Sequence, residues 1–199
     1  FDLSKSGLFT LEQFLSTFHV VNRKLWRSFD QGEIDKAYIR QERFRIVCEY
    51  LKVSPELIPM KVGELYLAQC PAKPHVMPFA HETLQYLKNN YRLNIITNGF
   101  NDVQYQKLES AGLHEFFEHV FTADSCGYQK PHKEIFEYAL DKAGTAPENS
   151  IMIGDNLNTD IEGARNAGID QVFYNPYKIL HHQSVTYEIA CLSDIRHIL

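Results

Sequence analysis

Ser150-Ile151-Met152-Ile153 is a short apolar run that stops at Gly154-Asp155, and a second acid, Asp160, follows five residues later where a helix should begin. In an open α/β sheet, a strand that ends in a carboxylate sets it at the carboxyl edge, where ligands bind in the crevice. Two acids, one at a strand tip and one at a helix entry, converge there. That is the arrangement a hard cation needs.

The chain around this stretch keeps a strand–helix rhythm. Ala80 to Asn90 reads as an amphipathic helix, and Leu93 to Thr97 as a buried strand ending at Asn98-Gly99. Asp102 to Ala111 is a helix closed by Gly112, His119 to Ala123 a short strand, and Pro131 to Ala143 a helix closed by Gly144. After the strand at 150–154, a helix is expected over Thr159 to Ala167 and a strand over Gln171 to Tyr174. A weak strand near Tyr187 and a helix from Ser193 follow. Alternation of this kind predicts the α/β class with a doubly wound parallel sheet.

Residues 1 to about 77 lack any convincing strand. Leu11, Phe14, Leu15 and Phe18 recur at helical spacing behind a capping Thr10, and Val21, Leu25 and Trp26 continue the stripe. Asp30-Gln31-Gly32-Glu33 is a turn, Ile34 to Leu51 a second helix, and Ser54-Pro55-Glu56 the start of another that runs toward Cys70. Pro71, Pro74 and Pro78 then break the chain, so a helical domain over 1–77 and an α/β domain over 78–199 are expected.

Three features fall on one edge of the expected sheet. Thr97 stands at a strand tip before a Gly-loosened turn, where its hydroxyl and the Asn98 backbone N–H can meet a phosphate oxygen. Lys130 precedes Pro131 at a helix N-terminus, where a cation opposes the dipole unless an anion is nearby. Asp155 and Asp160 are the third. Each alone also fits a capping or solvated residue; together, in this order, they point to one site.

Thr97 after Ile95-Ile96, Lys130-Pro131, and Gly154-Asp155 with Asp160 resemble motifs II, III and IV of the haloacid dehalogenase-like (HAD) hydrolases. Ile95 to Phe100, with Asn22 to Trp26 and Gly32-Glu33-Ile34, is most similar to the pyrimidine 5'-nucleotidase branch. The resemblance implies a helical cap on a Rossmann-like core, and a Mg²⁺-dependent phosphatase that works through an aspartyl-phosphate. It implies that Thr97 and Asn98 bind the phosphoryl group, that Lys130 neutralises it, and that Asp155 ligates the metal. Asp160 would orient Lys130 or a water ligand. The substrate implied is a small phosphate ester, a pyrimidine nucleoside 5'-monophosphate first, with a sugar phosphate or phosphoglycolate as the alternative. A non-catalytic HAD-like binding protein is the reading from another class.

Two departures stand out. The family's first motif, an apolar strand ending in Asp-x-Asp-x-Thr, is absent: Phe1-Asp2-Leu3 has no strand before it and Ser4 stands at the second acid. The expectation is a nucleophile-bearing strand and loop not represented in this sequence; the rival is a fragment without catalysis. His132 stands where many relatives carry Asp. In the cap, Trp26, Phe29, Tyr38 and Phe44 are candidates to wall off a base, and Arg40, Arg43 or Arg45 to contact its polar edges. Packing in a helical bundle explains these residues equally well.

Charge narrows the partners. A formal net charge of -5 gives no electrostatic case for nucleic acid or an anionic membrane, and no apolar run is long enough to span one. Cys48, Cys70, Cys126 and Cys191 have no metal-type spacing, and a cytoplasmic protein with reduced thiols is expected.

Overall fold

The computed structural model describes residues 7–57 and 61–199, so the readings made at Phe1 to Ser4 lie outside the described residues. The chain divides into two compact units between Pro71 and Ala72.

The first unit is helical. Helix α1 (Leu11–Asp30) begins at a capping box in which Thr10 Oγ1 accepts from Gln13 N at 3.1 Å and Gln13 Oε1 accepts from Thr10 N at 2.8 Å. Its buried Val21, Leu25 and Phe29 share one face and meet α2 (Lys36–Leu51), whose buried stripe is Ile39, Arg43 and Val47. Asp35 caps α2 by accepting from Tyr38 N at 2.7 Å, which moves the helix start from the expected Ile34 to Lys36. A single helical turn at Pro55–Leu57 and α3 (Lys61–Gln69) complete the unit.

The second unit carries the α/β alternation. It opens with α4 (Ala80–Lys88), β1 (Asn94–Thr97), α5 (Asn101–Ser110) and β2 (His119–Thr122). A short α6 (Ala123–Cys126), α7 (Lys133–Ala143), β3 (Ile151–Gly154), α8 (Glu162–Asn166), β4 (Asp170–Tyr174) and β5 (Tyr187–Ile189) follow. The expected closing helix is a 3₁₀ segment over Leu192–His197. Helix α7 starts at Lys133 rather than Pro131 because a turn closed by His132 N donating to Gln129 O at 2.9 Å occupies 129–132.

All strand pairs are parallel, in two sheets of order β1-β2 and β3-β4-β5. The two sheets share both apolar layers. On one face Ile96 of β1 and Met152 of β3 pack on Ile135, Phe136, Ala164 and Ile169. On the other, Leu93, Ile151 and Ile153 pack with Leu87, Val172, Ile189 and Ile195. Among the described residues β1 and β3 nevertheless exchange no ladder hydrogen bonds. Every residue of both strands is only half-buried, although Val172 and Phe173 on β4 are fully inside. Gly163 lets α8 approach α7, since a Cβ there would lie 2.4 Å from the Phe136 ring.

Candidate active site

The carboxyl ends of β1 and β3 carry the polar groups. Thr97 ends β1, and its Oγ1 accepts from Gly99 N at 3.0 Å, which leaves its O–H to donate. Asn98 is buried and clamps the next segment: its Nδ2 donates to Lys130 O at 2.9 Å and its Oδ1 accepts from Lys130 N at 2.8 Å. This two-point contact holds the Lys130-Pro131 step, a cis peptide, against the end of β1.

Lys130 is therefore turned inward. Its Nζ donates to Ile96 O at 2.8 Å and to Asp160 Oδ1 at 2.6 Å, with side-chain exposures of 11% for Lys130 and 6% for Asp160. The ammonium satisfies a carbonyl on the unpaired side of β1 and a carboxylate beyond β3, so one side chain ties the two sheets. Asp160 Oδ2 accepts from Asn156 N at 3.1 Å. A Cβ on Gly154 would lie 2.4 Å from both Cβ and Oδ2 of Asp160, so only glycine permits this approach.

Instead of the expected helix from Thr159, the chain makes a π-turn over Leu157–Ile161, with Asn156 accepting from Asn158 N and Thr159 N, before α8 begins at Glu162. The wider turn carries Asp160 to the inner side. π-bulges of this kind gather at functional sites because they re-aim side chains.

Asp155 lies at the mouth, exposed, with no ion pair among the described residues. Desolvation first, and the neighbouring Asp160 charge second, push its carboxyl above the usual range; its own backbone N–H and Lys130 act the other way. It is the carboxylate here that is not already committed to a protein cation. No group of three or more His, Cys, Asp and Glu side chains fit for a metal exists among the described residues. One hard, partly desolvated carboxylate oxygen fits Mg²⁺, which keeps several waters and takes one or two carboxylates. It does not suit Zn²⁺, which needs three or four protein ligands.

Thr97, Asn98, Lys130, Asp155 and Asp160 thus gather at neighbouring strand and helix ends. Trp26 belongs to the helical unit, half-buried and edge-on to Phe29 at 5.7 Å between ring centroids. Two contributions escaped the sequence reading. One is the Asn98 side chain as a clamp, which nothing in the motif announces. The other is Asn156, whose capping pattern before Thr159 was a readable signal.

The haloacid dehalogenase-like hydrolase family model matches residues 10–174. The chain belongs to the haloacid dehalogenase-like hydrolases. It is 31% identical over 201 residues to the pyrimidine 5'-nucleotidase YjjG of Escherichia coli, spanning 99% of this chain and 87% of that one. With the pyrimidine 5'-nucleotidase PynA of Streptococcus pneumoniae it shares 29% identity, over 97% of this chain and 82% of the relative. Among solved structures, the HAD-hydrolase YfnB of Bacillus subtilis bound to magnesium superposes with a TM-score of 0.83 at 29% identity, covering 96% of this chain and 83% of that one. Parallel strands and alternating helices agree with the α/β class read from the sequence. Cys48, Cys70, Cys126 and Cys191 are all free thiols. No described helix is long and apolar enough to cross a membrane.

Proposed function

We propose that this HAD hydrolase is a Mg²⁺-dependent phosphomonoester hydrolase acting on pyrimidine nucleoside 5'-monophosphates. The observation that carries the reading is Lys130, a nearly buried ammonium held between Ile96 O and Asp160 beside the free O–H of Thr97 and the uncommitted carboxylate of Asp155. A cation, a hydroxyl donor and a metal-seeking acid are what phosphoryl transfer asks of a protein, since positioning and charge neutralisation do most of its catalysis. The nucleotide part of the reading is supported by the two relatives named as pyrimidine 5'-nucleotidases.

In this reading Thr97 Oγ1 and the Asn98 backbone N–H hold the transferred phosphoryl oxygens, and Lys130 offsets their growing charge. Asp160 fixes the Lys130 rotamer. Asp155 would hold Mg²⁺, which when bound supplies further charge neutralisation of the phosphoryl group. The attacking aspartate implied by the family is not among the 199 residues. We assign it to a strand filling the interval between β1 and β3, whose facing edges lack ladder partners among the described residues. The helical unit serves as the cap.

Phosphate release by the full-length protein from dUMP or dTMP, against phosphoglycolate and a sugar phosphate, tests the proposal. Release should require Mg²⁺, favour the nucleotides, and fall to background in Asp155→Asn while thermal unfolding stays cooperative. Full activity in a folded Asp155→Asn protein would overturn it.

A further inference from the structure

Gly99 follows Thr97 and Asn98 at the carboxyl end of β1, yet its backbone does not call for glycine. It is not among the residues with positive φ, where glycine has its advantage. Space decides instead. A Cβ there would lie 2.0 Å from Gln104 Nε2, 2.7 Å from Gln104 Cδ and 3.0 Å from Thr97 Oγ1. The room that a methyl would need is taken by one side-chain amide.

Gln104 reaches this point from the first turn of α5, which starts at Asn101 behind Phe100 and has no side-chain cap. Helical side chains lean toward the N-terminus, so Gln104 is carried back over the turn in which β1 ends. Its Nε2 is 2.0 Å and Thr97 Oγ1 3.0 Å from the same point, so the two polar atoms lie no more than about 5 Å apart. Gln104 is half-buried, and its amide makes no hydrogen bond to protein among the described residues. Removing an amide from water without a partner is unfavourable, and packing over Gly99 alone asks only for an unbranched apolar chain.

The site is also short of donors. Lys130 Nζ already gives two of its three N–H groups to Ile96 O and Asp160 Oδ1, and Thr97 has one O–H. A phosphoryl group brings three strong acceptor oxygens. A neutral amide adds N–H donors without disturbing the charge balance of Lys130 and Asp160. Two donors this close serve oxygens of one phosphate at ordinary hydrogen-bond lengths of about 2.7–3.2 Å.

We infer that Gln104 is a further phosphate-contacting residue of this site. Its Nε2 donates to a phosphoryl oxygen beside the one that takes the Thr97 O–H, and Gly99 is what lets the amide reach it. The inference rests on the phosphomonoester reading, but not on the alcohol that the phosphate esterifies.

The test uses the full-length protein with Mg²⁺. Binding of inorganic phosphate is measured by calorimetry, and phosphate release from dUMP and from phenyl phosphate is followed, for the natural protein, Gln104→Met, Gln104→Ala, Gly99→Ala and the Gly99→Ala/Gln104→Ala double variant. Gln104→Met keeps the packing over Gly99 and loses only the donor. It should weaken phosphate about tenfold and lower kcat/KM by about the same factor for both esters, while thermal unfolding holds. Gly99→Ala should lose as much as Gln104→Ala, because its methyl displaces the amide, and the double variant should lose no more than either single one. Unchanged phosphate affinity in folded Gln104→Met, a loss confined to one ester, or additive losses in the double variant overturns the assignment; if Gln104→Ala fails to fold, Gln104→Met decides. Phosphate binding that depends on Gln104, without release from either ester, would sink the hydrolase reading alone.

Discussion

At the scale of single residues, the Lys130–Asp160 pair has the most at stake. Both side chains are nearly dry, with exposures of 11% and 6%, and Asp160 is further held by Asn156 N. Breaking a buried pair from one side leaves an uncompensated charge, which costs about 3–5 kcal/mol, whereas replacing both partners by uncharged groups is often neutral. Lys130→Met should therefore lower the urea midpoint strongly, and Lys130→Met with Asp160→Asn should recover most of the loss. Additive destabilisation in the double variant would show that the two side chains are not coupled. Motif spacing brought these two residues under suspicion together. The resemblance left open whether Asp160 orients Lys130 or a water ligand; the 2.6 Å contact with Lys130 came from the structure, where the Asn98 clamp and the π-turn act on different segments.

At the scale of elements, β3, the π-turn and α8 behave as one device. Gly154 closes the strand, Asn156 caps the turn, and the turn swings Asp160 back against Gly154. Gly154→Ala inserts a methyl 2.4 Å from Asp160 atoms that are anchored at both oxygens, so the turn must shift. Overpacking of this kind costs about 1–3 kcal/mol. Loss of stability should be accompanied by loss of phosphate release, and an unaltered melting curve would contradict the geometry. The strand and helix positions here followed from apolar runs and Gly or Pro punctuation. Where a helix from Thr159 was expected, a π-turn capped by Asn156 spans Leu157–Ile161. In the helical unit the capping signals at Thr10 and Asp35 work locally, so α1 and α2 needed no tertiary information.

At the scale of the whole molecule, the described strands form two parallel sheets. β1 and β3 are each paired on one side and pack on the same two apolar layers, yet their facing edges carry no ladder bonds among the described residues. Unpaired edges exchange their amide hydrogens readily, while strands paired on both sides protect them. In the 199-residue chain, those amides of Ile151 to Ile153 that point away from β4 should exchange at least about tenfold faster than those of Val172 and Phe173 on β4. A protein carrying an additional apolar strand between β1 and β3 should slow them to the β4 rate. Equal protection in the shorter chain would count against an open interval. The absence of the first motif was legible in the sequence; which two strands exchange no ladder bonds among the described residues came from the structure.

By itself, the sequence determined most strand and helix segments and the α/β class, and its resemblance to the HAD motifs singled out Thr97, Lys130, Asp155 and Asp160 and the lack of Asp-x-Asp. The segments and the class depend on periodicity and punctuation, which act over a few neighbours; the motif set and the missing Asp-x-Asp were read from the resemblance to the HAD hydrolases. Tertiary structure alone decided that Lys130 turns inward between Ile96 O and Asp160, and that Asp155 makes no ion pair among the described residues. Those facts depend on which distant groups meet and on how much water they lose. The cost of burying a charge is set by its surroundings, not by its place in the chain.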